Sequence, residues 1–177
     1  MVTLAASAQE VVHALIGTVS SIDPAAKTIT VKTDDGSLSL FKDLINSKTR
    51  IEFDKNVRKD ATAAEEFKKS GTHVIVYYFG LGRGRTAVAL RGLGSGPFTK
   101  TVGTVDKFAD KEHSISIRED SGVVKSFKIT SDTIAETDTG AIEGLKFRPN
   151  KGDHVRVSAT SENGSATAVL INASYVP

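Results

Sequence analysis

Apolar and polar residues alternate along several short stretches of this chain, and the stretches come in two series. In Thr28-Ile29-Thr30-Val31 each Thr is followed by a β-branched apolar residue, the period of a strand with one buried face. The preceding stretch, residues 13–22, reads as a first strand that stops at the Asp23-Pro24 turn signal. Asp34-Asp35-Gly36 reads as a hairpin turn after strand two, and residues 37–41 as strand three. Residues 73–79 and 87–91 supply strands four and five. The second series runs through residues 100–108, 114–118, 123–128, 154–159 and 166–173.

The two series are copies. Gly17-Thr18-Val19 returns as Gly103-Thr104-Val105, and Lys27-Thr28-Ile29-Thr30-Val31 as His113-Ser114-Ile115-Ser116-Ile117. Further on, Gly71-Thr72-His73-Val74-Ile75-Val76 pairs with Gly152-Asp153-His154-Val155-Arg156-Val157, and Thr86-Ala87-Val88 with Thr167-Ala168-Val169. The second copy is shorter between its third and fourth strands, as expected where strands build a core and connections run over the surface. In copy one that connection contains Thr62-Ala63-Ala64-Glu65, the spacing of a capping box, followed by good helix formers and Gly71. It predicts a short helix over residues 61–69. The matching connection of copy two, residues 130–151, is polar and carries Gly140, Gly144 and Pro149, and predicts at most one helical turn.

Five strands with a helix between the third and fourth is the order of the OB-fold. The expected fold class is all-β with minor α: two tandem OB-like five-stranded barrels, the first with a short helix between strands three and four. The division is an N-terminal tail (1–12), copy one (13–92), a Gly-rich flexible linker (93–98) and copy two (99–177). Each unit is small for an independent core, so the two are expected to pack on each other. No Cys is present to staple either one. Each copy resembles a family of small bacterial β-barrel domains of unassigned function, often exported and often in tandem. Gly17-Thr18-Val19, Gly103-Thr104-Val105 and Gly152-Asp153 carry the likeness; copy one departs from it with Gly71-Thr72. The resemblance implies a fold and export, and brings no catalytic residues. Ala6-Ser7-Ala8 has the small-x-small form of a signal-peptidase site, which points to a periplasmic or cell-surface protein. No apolar run is long enough to span a bilayer.

Strand four is where the copies differ most usefully. In copy two Val155, Val157 and Ala159 share the core face, so by alignment Val74, Val76 and Tyr78 face the core of copy one. That puts His73, Ile75, Tyr77 and Phe79 outside, as a contact surface for the second barrel, the N-terminal segment, a protein partner or a ligand. The other difference is Gly80-Leu81-Gly82-Arg83-Gly84-Arg85, a glycine-rich loop offering Arg83 and Arg85 where OB-folds often hold ligands.

Charge and composition narrow the function. Net charge is +2, aromatic residues make up 6% and Trp is absent, which disfavours nucleic acid as a partner. No zinc, nucleotide or nucleophile-elbow motif is present, and the four His show no metal-like spacing. Neither cofactor nor metal is expected. The sequence therefore reads as a non-catalytic binding or scaffold module for a protein or small ligand. The alternatives are single-stranded nucleic-acid binding through the Gly80–Arg85 loop, or a hydrolytic enzyme whose site is assembled from distant residues.

Overall fold

Both copies close into barrels. The structure, a computed structural model, describes residues 9–43, 51 and 53–173. Its strands form two sheets, of six and seven strands. In the first, β1 (His13–Asp23) pairs antiparallel with β2 (Thr28–Thr33) and with β5 (His73–Phe79). Next, β2 pairs with β3 (Leu38–Asp43) and β5 with β6 (Thr86–Gly92). A parallel contact between β3 and β6 at Lys42 and Thr86 closes the ring. The two-residue strand β4 (Thr62–Ala63) adds to the far end of β6.

The second sheet repeats this with β7 (Phe98–Ala109), β8 (Ser114–Arg118), β9 (Val124–Lys128), β12 (His154–Glu162) and β13 (Ser165–Asn172). Its closing parallel pair is Thr167 with Lys128. Both rings are OB-like five-stranded barrels. Copy two also carries β10 (Ile134–Thr137) and β11 (Gly140–Glu143), a hairpin whose first strand lies parallel to β13.

The repeated motifs are two halves of one device. In copy one the Val19 N–H donates to the Thr72 carbonyl at 2.9 Å, and the Gly71 N–H donates to the Val19 carbonyl at 2.8 Å. Copy two makes the same pair of bonds between Val105 and Gly152-Asp153. The strand opening is thereby tied to the turn that launches strand four, and strand one bulges just beyond, between Val19 and Ser21 and between Val105 and Lys107. The glycines two places earlier are steric. A Cβ on Gly17 would come within 2.5 Å of the Lys32 carbonyl oxygen, and one on Gly103 would strike the Arg118 carbonyl. Gly71-Thr72, the departure from the family pattern, makes the same main-chain bonds as Gly152-Asp153.

The helix expected over residues 61–69 is a single 3-10 turn, Ala64–Glu66, with no side-chain cap. So short a segment gains little from helix propagation. Strand pairing of Thr62 and Ala63 with β6, and burial of Ala64 and Phe67 in the barrel core, fix it instead. Copy two has the matching turn at Gly144–Lys146, followed by the buried Phe147. The β10–β11 hairpin was not expected. The linker is docked: the Leu93 N–H donates to the His73 carbonyl at 2.8 Å, and Phe98 already belongs to β7. Ala6-Ser7-Ala8 lies outside the described residues.

Three apolar clusters hold the described chain together. One fills barrel one around Val19, Ile29, Val31, Phe41, Val74 and Val76, with Tyr78 packed against it. A second fills barrel two around Ile115, Ile117, Phe127, Val155, Val157 and Ile171. The third lies between them: Val12, Ala14, Ile16, Val57, Ile75, Tyr77 and Ala89 of copy one meet Ile134 and Leu170 of copy two. Full burial of each large side chain there contributes roughly 1.5–3 kcal/mol. Since this third cluster is as dry as the barrel interiors, the two barrels should unfold as one unit. Ile134→Ala is expected to cost about 2–5 kcal/mol. Hydrogen exchange should show protection falling in β1 and β5 as well as in β13; loss confined to copy two would mean the barrels unfold separately.

Candidate functional site

The outer face of β5 lies against copy two. Ile75 and Tyr77 are fully buried between the barrels, while His73 and Phe79 at the strand ends are half-buried. Polar contacts ring this apolar contact. Arg91 donates to the Asp132 carbonyl at 2.8 Å, Lys59 pairs with the Asp132 carboxylate at 3.1 Å, and Asn56 donates to Glu143 at 3.1 Å. His73 stacks on Phe98, ring centroids 4.2 Å apart, and its Nδ1 lies 3.1 Å from the Thr18 hydroxyl. Burial lowers the His73 pKa below its ordinary value, with the nearby Asp34 carboxylate opposing. Burial likewise pushes Tyr77 up to about 12. His154, the repeat equivalent of His73, is exposed.

Glu136 is a buried carboxyl of the contact, 5% exposed. Over residues 13–16 β1 has β5 on one side and no β2 on the other, since β2 joins only at Gly17. The Ala14 N–H on that open side donates to Glu136 Oε2 at 2.7 Å, and His13 Nδ1 lies 2.6 Å from Oε1. A carboxylate from copy two therefore satisfies an amide that copy one leaves unpaired. Burial raises the Glu136 pKa, against the lowering by the His13 and Ala14 hydrogen bonds. One step further along, the Ala141 N–H donates to the Val12 carbonyl at 2.8 Å. Gly140 permits that approach, because a Cβ there would lie 2.7 Å from the Val12 oxygen.

The Gly80–Arg85 loop separates its two arginines. It folds as a 3-10 turn, Gly82–Gly84, and bonds to β3 where the Lys42 N–H donates to the Arg85 carbonyl at 3.0 Å. Arg83 is exposed. Arg85 turns inward, its guanidinium 5.2 Å above the Tyr78 ring and its Nη1 3.3 Å from the Ser39 hydroxyl. Its Nε is buried with no hydrogen-bond partner among the described residues. Leu81 at the loop tip is 88% exposed, and Leu38 and Leu40 stand exposed on the outer face of β3.

Arg85 borders a cavity of about 270 Å³ at the mouth of barrel one. Tyr78, Ser39, Thr33 and Ser37 line it from copy one, and Arg156, Ser158, Asn172 and Glu136 from copy two. The Asp34-Asp35 turn forms its rim. Ser158 donates to Asp34 Oδ2 at 3.1 Å, joining the barrels there. Asp35 is held well below the usual carboxylate range, first by the Thr33 hydroxyl and then by the Ser37 N–H and hydroxyl. Domain interfaces and barrel mouths are where small-ligand sites concentrate. Arg85 was visible in the sequence. The other wall residues were not, because they come together only when the barrels pack. Among the described residues no three His, Asp or Glu side chains converge as metal ligands, and no helix is long and apolar enough to cross a membrane.

No family model matches this chain, and no curated protein matches it. Among solved structures it is similar to one titled "drosophila Unr CSD456", at 13% identity and a TM-score of 0.33. That likeness covers 93% of this chain and 61% of the other.

The His73 geometry carries a pH signature. A lowered folded pKa means that the unfolded chain takes up a proton first as pH falls. Stability from His73 is therefore fully present above its ordinary value of 6.5 and is lost as pH drops through its lower folded value. Thermal melts from pH 7.5 to 5 should show His73→Gln losing less stability on acidification than the unsubstituted protein. Equal losses would remove His73 as the cause. Tyr77→Phe, which deletes a buried hydroxyl lacking a partner among the described residues, should stabilise by about 1 kcal/mol in urea denaturation.

Proposed function

We propose that this chain is a non-catalytic binding module, exported from a bacterial cell, that holds a small ligand in the cleft between its two barrels. The observation that carries the reading is Arg85: a guanidinium turned into a cavity at a barrel mouth, its buried Nε unpartnered among the described residues. A buried donor without an acceptor costs about 1–3 kcal/mol, so a ligand that supplies the acceptor recovers that cost. Residues from both copies wall the cavity, which gives the tandem arrangement a purpose beyond mutual stabilisation. The small-x-small stretch Ala6-Ser7-Ala8 and the resemblance to exported tandem barrels support the location.

A non-catalytic role fits the state of the acids. Glu136 is held by His13 and the Ala14 N–H, Asp34 by Ser158, and Asp35 by Thr33 and Ser37. Each of these cleft carboxylates is engaged in a contact within the protein, which supports a binding role for the cleft. Against the nucleic-acid reading, two of the three aromatics beside the loop are already packed: Tyr77 is buried between the barrels, and Tyr78 packs on the barrel-one core with its ring under Arg85, which leaves the half-buried Phe79.

The test is a thermal-shift panel on the full chain with a small carboxylate, inorganic phosphate, a neutral sugar, a primary amine and an oligodeoxythymidylate. At least one compact probe should raise Tm in the unsubstituted protein and fail to do so in Arg85→Met. A flat response to the whole panel, or a shift that Arg85→Met retains, would overturn the reading.

A further inference from the structure

The chemistry of the cleft walls narrows the ligand. We infer that the cleft takes a small monocarboxylate bearing several hydroxyl groups, the class of a sugar acid; this rests on the cleft being the binding site.

The first ground is the guanidinium of Arg85 in the cleft wall. Nη1 donates to the Ser39 hydroxyl and the guanidinium carbon sits 5.2 Å over the Tyr78 ring, while the buried Nε has no hydrogen-bond partner among the described residues. Nε and its neighbouring terminal nitrogen form the side-on fork that a carboxylate fits with two parallel hydrogen bonds. A neutral sugar cannot use that fork so well.

The second ground is the sign and amount of charge. Asp34, Asp35 and Glu136 stand in the same walls as the two guanidiniums of Arg85 and Arg156. A dianionic phosphate would face three carboxylates across a cavity of about 270 Å³. A ligand with one negative charge, placed on the Arg85 side, keeps its distance from them. The cavity is a little below the range of about 300–1000 Å³ usual for drug-sized molecules, which suits a single sugar-sized ring.

The third ground is the rest of the lining. The Ser158 hydroxyl gives its proton to Asp34 and the Ser37 hydroxyl is engaged with Thr33, which leaves their oxygens and the Asp34 carboxylate as acceptors with lone pairs to spare. Acceptors of this kind suit alcohol groups, which donate to them. Leu170 and the Tyr78 ring give the cleft an apolar strip against which the C–H face of a ring can lie.

The experiment is a two-dimensional amide NMR titration of the full chain with D-glucuronate, D-glucose and inorganic phosphate, each to about 10 mM. Glucuronate should give saturable shifts at Ser39, Tyr78, Arg85 and Ser158. Glucose should bind at least tenfold more weakly. Arg85→Met should weaken glucuronate at least tenfold, and Arg83→Met, whose guanidinium stands outside the cleft, should not. If Arg85→Met does not fold, Arg85→Lys, which keeps the charge and loses the fork, should weaken glucuronate severalfold. Glucose binding as well as glucuronate, or phosphate shifting the cleft while glucuronate does not, would overturn the ligand class and leave the cleft as the site. Cleft residues unmoved by every probe would overturn both.

Discussion

The outer face of β5 is the constraint from which the arrangement of this molecule follows. A strand must alternate its side chains, and here both alternating sets are apolar: Val74, Val76 and Tyr78 on one side, Ile75 and Tyr77 on the other. A barrel needs only the first set. The second would leave two large apolar residues in water, together with Ala14, Ile16 and Ala89 beside them. Barrel two covers that face with Ile134 and Leu170. The third cluster is thus what makes a pair of small barrels, each with little core of its own, into a single body.

That contact then dictates where charge can go. Glu136 is carried on the hairpin that supplies Ile134, and it reaches an amide on the open side of early β1, the Ala14 N–H. Removing it would leave a buried donor bare, so the polar group fixes the register of the contact that the apolar groups drive. At the other margin, Asp34 meets Ser158 and Lys100 reaches the Asp34 carbonyl at 3.5 Å. Between these two fixed points the barrels stand slightly apart, and the cleft occupies that gap.

The strands were legible because their signal is local. Thr28–Thr33, His73–Phe79 and Ser114–Arg118 follow directly from period-two alternation and flanking turns. The two faces of β5 were legible because the second copy offered a comparison: Arg156 and Ser158 stand where Ile75 and Tyr77 do. Residues 61–69 read as a helix because Thr62-Ala63-Ala64-Glu65 satisfies helix chemistry locally, while pairing with β6 and burial of Phe67, which leave only a 3-10 turn, are decided at long range. Asp138-Thr139-Gly140 carried the turn signal of the missed β10–β11 hairpin, but Ile134 and Ala135 are too short an apolar run to announce a strand. Arg83 and Arg85 are alike in sequence. Only the path of the loop, tied to β3 by the Lys42 N–H, sends one outward and the other into the cleft.

The pairing of the barrels is heterologous. Copy one contributes β1, β5, β6 and Val57 of its long connection, whereas copy two contributes the β10–β11 hairpin and the end of β13. Contacts of that kind join two different surfaces rather than the same patch on both partners. The face of β12 that corresponds to the buried face of β5 is itself turned toward copy one, and there Arg156 replaces Ile75 and Ser158 replaces Tyr77. Ser158 donates to Asp34 across the contact, and both side chains line the cleft. Divergence at a pair of strand positions thus accounts for the polarity of the space between the barrels.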